Sequence, residues 1–281
     1  MDGFLLVDKQ IGWTSRDVCN KIRHNFHFDK VGHTGTLDPF ATGLLIVSIN
    51  KASKLNRFIE DDDKEYIAEI ALGTKTNTGD LTGEIIEKVN VPSLKEDYIK
   101  NIVNSFLGKQ KQIPPMTSAI HYEGVKLYEL AHQGINVERE PRDIEIKKIE
   151  VLSFISNILT IKAVVSKGTY LRVLGEDIAV RLGTVGHLKS LRRTRIGNLN
   201  IEDAKKVEEL QLENLISSYD LIKNYLPIQF INSYQIKDIK DGKVMRFNRE
   251  EDLLLVVDEN KTPLAIYEKN EECYHIIRGL W

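Results

Sequence analysis

Gly32-His33-Thr34-Gly35-Thr36-Leu37-Asp38-Pro39-Phe40-Ala41-Thr42-Gly43 runs directly into an apolar stretch, Leu44-Leu45-Ile46-Val47. A single acid, Asp38, lies in a turn rich in glycine and threonine and stiffened by Pro39. The apolar run after it reads as a buried strand over 44–49. A carboxylate on a constrained loop beside a rigid strand suits a nucleophile or a general base. The same residues also suit an ordinary Asp-Pro turn, and the local sequence leaves both open. The stretch holds no Gly-Lys-Ser/Thr, so a phosphate-cradling P-loop is not supported. His33 has no histidine near it at ligand spacing, which speaks against a metal.

Upstream, 4–7 reads as a short strand. Ser15 reads as the N-cap of a helix whose face carries Val18, Ile22 and Phe26. Downstream, 64–72 alternates as a strand, and the spacing over 64–90 favours antiparallel pairing. Ser93 with Glu96 reads as a capping box for a helix continuing through Ile99, Ile102, Val103 and Phe106. Residues 110–140 depart from this rhythm: Ile113-Pro114-Pro115-Met116 breaks regular structure, and a short helix around 126–132 stops at Gly134. This stretch reads as an insertion that contacts a partner. Strands at 144–149 and 159–165, a turn at Gly168-Thr169-Tyr170 and a helix over 171–182 follow, with a further helix expected around 201–210. Pro227 marks a boundary, and strands at 253–257, 264–267 and 274–277 form a β-rich tail. Strands and helices mix without a regular βαβ alternation, which gives an α+β fold with a mixed, mainly antiparallel sheet and flanking helices. The expected domains are 1–225, with the insertion at about 110–140, and 226–281.

The chain has 281 residues, 42% hydrophobic and 28% charged, as expected of a soluble globular protein. Its apolar runs are far shorter than the roughly 20 residues of a membrane span. The start, Met1-Asp2-Gly3-Phe4, has no basic leader, so no signal peptide is expected. Two cysteines far apart, Cys19 and Cys273, argue against a disulfide framework and fit a reducing cytoplasm. A net charge of −2 taken alone disfavours nucleic acid. Its distribution does not. His187-Leu188-Lys189-Ser190-Leu191-Arg192-Arg193-Thr194-Arg195 carries four formal positive charges and no acid, while acids gather at Glu60-Asp61-Asp62-Asp63. A near-neutral total can hide a basic face.

The stretch around Asp38 closely resembles the signature of the TruB family of tRNA pseudouridine synthases. Further matches are spread along the chain. Lys9, Gly12, Thr14 and Ser15 resemble the family's N-terminal element, with Gln10 where proline is usual. Lys64, Tyr66, Leu72-Gly73, Thr76, Thr78, Asp80 and Gly83 resemble a second motif. Ser166-Lys167-Gly168-Thr169-Tyr170-Leu171-Arg172 resembles a third, and His187 through Gly197 a fourth. Ile113-Pro114-Pro115, Ser118-Ala119 and the short helix to Gly134 resemble an RNA-clasping insertion. The tail from about 226 resembles, weakly, a small PUA-type barrel.

The resemblance implies a pseudouridine synthase fold and isomerisation of uridine to pseudouridine at position 55 in the tRNA T-loop. Asp38 is then the essential aspartate. Tyr66 stacks on the target base, Tyr170 lies near it, and Arg172 pairs with Asp38. Lys9, His33, Lys64, Lys167, His187, Arg192, Arg193 and Arg195 are expected to contact RNA. The reaction adds no atom and changes no redox state, so no cofactor and no metal are expected. The implied partner is the tRNA T-arm, met by a stand-alone monomer of bacterial type. One alternative is a non-catalytic RNA-binding or tRNA-folding protein on the same scaffold. Another is a glycoside hydrolase, for which the second carboxylate is hard to name; Asp80 is the nearest candidate.

Overall fold

The computed structural model describes every residue but Ala119, and among residues in helices and strands every side chain but that of His132. The chain forms two compact units. One comprises Met1–Asp38, Leu45–Asp61 and Glu202–Trp281; the other comprises Pro39–Leu44 and Asp62–Ile201. This division differs from a single boundary at 226.

In the first unit, the strand Gly3–Lys9 pairs antiparallel with Ile216–Ser217, Gly3 lying opposite Ser217. The strand Val31–Thr34 pairs antiparallel with the strand Thr42–Ile49, Val31 opposite Ile49 and Thr34 opposite Ile46. The helix Ser15–Phe26 covers these strands. Val18, Cys19 and Ile22 recur at helical spacing and join Leu5, Val7, Leu45, Val47 and Ile49 in one core. The cap of this helix is Thr14, not Ser15. Asp17 N donates to Thr14 Oγ1 at 3.0 Å, and Thr14 N donates back to Asp17 Oδ2 at 2.9 Å, a reciprocal capping box. These hydrogen bonds hold the Asp17 carboxyl below its usual range. Thr14→Ala should lower Tm by about 2–3 °C in a thermal melt, and an unchanged Tm would remove the box from the account.

The helix expected around 201–210 is instead two 3-10 turns, Ile201–Asp203 and Val207–Glu209. The backbone of Lys205 is already committed to the first strand. Asp8 N donates to Lys205 O at 2.9 Å, and Lys205 N donates to Leu6 O at 3.1 Å. A residue bridged this way cannot take part in a continuous helical ladder. From Ile228 the chain builds a separate sheet in the order Ile228–Phe230, Leu253–Val257, Pro263–Asn270, Cys273–Gly279. It encloses its own core of Leu254, Val256, Ala265, Tyr267 and Tyr274.

In the second unit, the strand Gly186–Ile196 is parallel to the start of Thr42–Ile49 and antiparallel to Lys64–Leu72. Antiparallel neighbours continue through Ile158–Val165, Arg142–Ile155 and Gly108–Gln112. The sheet is therefore mixed and mainly antiparallel. The partners of Lys64–Leu72 are thus distant in sequence; the local hairpin is Thr74–Thr76 with Ile85–Lys88. Helices Glu96–Asn104 and Leu171–Arg181 belong to this unit. The first of them starts after Lys95 with no side-chain cap, so Ser93 makes no capping box there.

Candidate active site

Asp38 ends the first unit's leading segment, in a loop with no regular structure. The residue before it is anchored: Leu37 is 3% exposed, its N donates to Ser15 Oγ at 3.0 Å, and Ser15 Oγ lies 3.2 Å from Leu37 O. Because Thr14 takes the capping role, the Ser15 hydroxyl is released to hold this loop. Phe40, two residues beyond Asp38, is also buried. The half-buried Asp38 is thus flanked in sequence by two buried side chains. His33, five residues earlier, has Nδ1 at 3.5 Å from Cys19 Sγ and Nε2 at 3.2 Å from Thr36 Oγ1. Lys9 is fully buried, and its Nζ donates to the carbonyls of Gln10 at 3.1 Å and Trp13 at 2.6 Å. It ties the turn that leads into Thr14. Its ammonium is thus enclosed by backbone carbonyls, away from solvent.

In the second unit, Gly43, Arg193, Tyr66 and Ala163 occupy one row across four strands. Tyr66 is 8% exposed in the middle of that row. Arg193, expected at the RNA surface, is 1% exposed, and its Nε donates to Leu44 O at 2.7 Å. It therefore ties its strand to the neighbouring one from a buried position.

Arg172 lies in the first turn of the helix Leu171–Arg181 and is 4% exposed. Its guanidinium donates to Thr78 O at 3.1 Å, to Thr117 O at 2.9 Å and to Thr117 Oγ1. Its Nε lies 4.0 Å from Asp80 Oδ2. Asp80 is itself held through Oδ1, which accepts from Thr78 Oγ1 at 3.0 Å, Thr82 N at 2.9 Å and Thr82 Oγ1 at 2.5 Å. One buried arginine therefore joins the 74–88 hairpin and the 113–117 segment to the helix. A cation at a helix start opposes the helix dipole; Asp80 and the two carbonyls offset that cost. Tyr170, at the N-cap position, is clamped through its backbone by Gln112: Tyr170 N donates to Gln112 Oε1 at 2.8 Å, and Gln112 Nε2 donates to Tyr170 O at 3.1 Å.

Arg172, Thr78, Thr117, Glu176, Arg139 and Pro115 are among the residues lining an open cleft of about 340 Å³ in this unit. Burial pushes the Glu176 carboxyl above its ordinary range against the nearby charges of Lys75, Arg172 and His187. Guanidinium, hydroxyl and carboxyl groups in one cleft can hydrogen-bond a polar, nucleoside-sized group. Among the described residues no group of three or more His, Cys, Asp or Glu is placed to hold a metal ion.

The remaining basic positions are dispersed. His187 Nδ1 lies 2.9 Å from Thr74 O, so that nitrogen is the donor. Lys64 is buried and donates to Asp62 O at 2.6 Å, a contact that occupies it within the fold. Arg195 donates to Gly197 O at 2.6 Å and lies 3.9 Å from Glu65. Burial raises the Glu65 carboxyl, yet hydrogen bonds from Thr194 and Lys162 bring it below its ordinary range overall. Arg192 is half-buried, with NH1 3.5 Å from Thr42 Oγ1, and Lys167 is exposed. No local spacing in the sequence marks Gln112, Thr117 or Cys19, because each meets its partner at least fourteen positions away. Ala119, part of the insertion resemblance, lies outside the described residues.

Residues 23–171, more than half the chain, match the sequence profile described as TruB family pseudouridylate synthase (N terminal domain). The chain belongs to the TruB family. A relative from Hydrogenovibrio crunogenus named tRNA pseudouridine synthase B is 37% identical over 91% of this chain and 85% of its own. Relatives of the same name from Neisseria gonorrhoeae and Alkaliphilus oremlandii are 38% and 41% identical, over 96% and 89% of this chain and 88% and 83% of theirs. Among solved structures, a chain in a crystal structure of a Cbf5-Nop10-Gar1 complex superposes with a TM-score of 0.72 at 21% identity, covering 99% of this chain and 85% of that one. That likeness concerns the fold alone. This TruB-family chain thus carries Asp38, Tyr66 and Tyr170 inside the span matched by the family profile, and Arg172 one residue beyond it.

Proposed function

We propose that this chain isomerises uridine to pseudouridine in tRNA, at position 55 of the T-loop, as a cytoplasmic monomer that needs no protein partner. The observation that carries this reading is the likeness to tRNA pseudouridine synthase B over 91% of the chain. The target uridine leaves its stack, its N1–C1′ bond breaks, the uracil turns, and C5 bonds to C1′, with the C5 proton leaving and N1 taking up a proton. Flipping costs a few kcal/mol; stacking on an aromatic ring returns about 1–3 kcal/mol per base, and Tyr66 is the proposed ring. Asp38 is the proposed catalytic carboxylate. A guanidinium beside a carboxylate keeps it ionised, the role assigned to Arg172 toward Asp38. Tyr170 is assigned to the movement of the C5 proton. The 110–140 insertion is read as an RNA clasp and 226–281 as a PUA-like module.

Incubating purified chain with an unmodified tRNA transcript and mapping pseudouridine tests this directly. Modification at position 55 is expected. Binding without modification would favour the RNA-folding scaffold, and release of free uracil would favour a hydrolase. Arg192 is the proposed phosphate contact of the 187–195 strand. Arg192→Gln should weaken tRNA binding and reduce the slope of log affinity against log salt by about 1. An unchanged slope would remove it from the interface.

A further inference from the structure

Cys19 lies on the core face of the helix Ser15–Phe26 and is 2% exposed. Cysteine is often a small core filler. What sets this one apart is its reach to His33: Sγ is 3.5 Å from Nδ1. On the opposite side of the ring, Nε2 lies 3.2 Å from Thr36 Oγ1, and Asn56 Nδ2 donates to the His33 carbonyl at 3.3 Å. Both ring nitrogens and the backbone are therefore engaged. Burial pushes the Cys19 thiol up to about 11, so the sulfur keeps its proton at neutral pH. An imidazole nitrogen accepts a hydrogen bond far better than a thiol sulfur does. The S–H then donates to Nδ1, which carries the lone pair. A neutral imidazole has one N–H, and here it is left on Nε2.

We propose that Cys19 is a positioning residue that fixes His33 as its Nε2–H tautomer, so that His33 offers a hydrogen-bond donor to an oxygen of the bound nucleotide. The inference rests on the reading of His33 as an RNA contact. In the free protein Thr36 Oγ1 receives that donor. Thr36 is exposed, and a carbonyl or phosphate oxygen of the RNA takes the place of its hydroxyl.

The test is two-bond proton–nitrogen NMR on protein labelled with nitrogen-15 histidine, with the His33 signals assigned through His33→Gln. The native chain should give the Nε2–H pattern for His33. Cys19→Ala should populate the Nδ1–H form, and Cys19→Ser, which keeps a hydroxyl donor, should restore part of the Nε2–H population. In steady-state assays Cys19→Ala should raise KM for tRNA severalfold with a smaller change in kcat. A native Nδ1–H pattern, a Cys19→Ala spectrum identical to the native one, or a changed tautomer with unchanged KM would each overturn the proposal. The spectra require no turnover. A chain that forms no pseudouridine yet shows the tautomer shift would defeat the proposed function and leave the Cys19–His33 coupling in place.

Discussion

Asp38→Asn is expected to leave a folded protein that binds tRNA and forms pseudouridine at least about 10³-fold more slowly. The change nearly preserves volume and removes only the negative charge. The loop has anchors on either side of the carboxylate: Leu37 is held by Ser15, and Leu37 and Phe40 are buried. Folding should therefore survive while the chemistry fails. The measurements are single-turnover pseudouridine formation and tRNA affinity, made in parallel. Turnover within tenfold of native would remove Asp38 from the reaction. Loss of tRNA binding together with turnover would instead make the carboxylate an RNA-positioning group.

Gly43→Ala should cost roughly 4 kcal/mol or more of stability. Gly43 pairs with Arg193 on the adjacent parallel strand. Its φ is +104°, and a Cβ there would lie 2.7 Å from Arg193 N and 2.9 Å from its carbonyl carbon. Backbone cannot yield as a side-chain tip can. Two costs thus add: a conformation that suits glycine and a backbone collision in mid-sheet. Gly168→Ala separates them. Gly168 has φ +82° with nothing within 4 Å of an added Cβ, so only the conformational cost of about 1–2 kcal/mol applies. Urea unfolding of both variants should show Gly43→Ala at least about 2 kcal/mol worse. Equal losses would mean that the close approach to Arg193 is not what fixes this glycine.

Several strands are legible because their signal is local. Alternation over 64–72 gave a strand with the bounds observed, Lys64–Leu72, and the apolar runs at 44–49 and 253–257 gave buried strands. The helix expected at 201–210 gives way to two short turns because the Lys205 backbone is bridged to the first strand. Thr14 and Ser15 are chemically alike as caps, so the sequence does not separate them; only the position of Leu37 does. The basic run at 187–195 read as one surface. On a strand successive side chains face opposite sides, so Arg193 is buried while Arg192 and Thr194 are half-buried.

The sequence by itself determined the α+β class, the family and the acid in its glycine-framed loop, because motif spacing and hydrophobic period are properties of neighbours along the chain. Tertiary structure decided which charges are available. Lys9, Lys64 and Arg193 are buried on backbone carbonyls, Arg172 is fastened to Asp80 and Thr117, and His33 meets Cys19. These outcomes depend on strand register and on contacts across more than a hundred residues in the case of Arg193. A cation reads the same in sequence whether it faces solvent or a carbonyl, and only the packing around it fixes which.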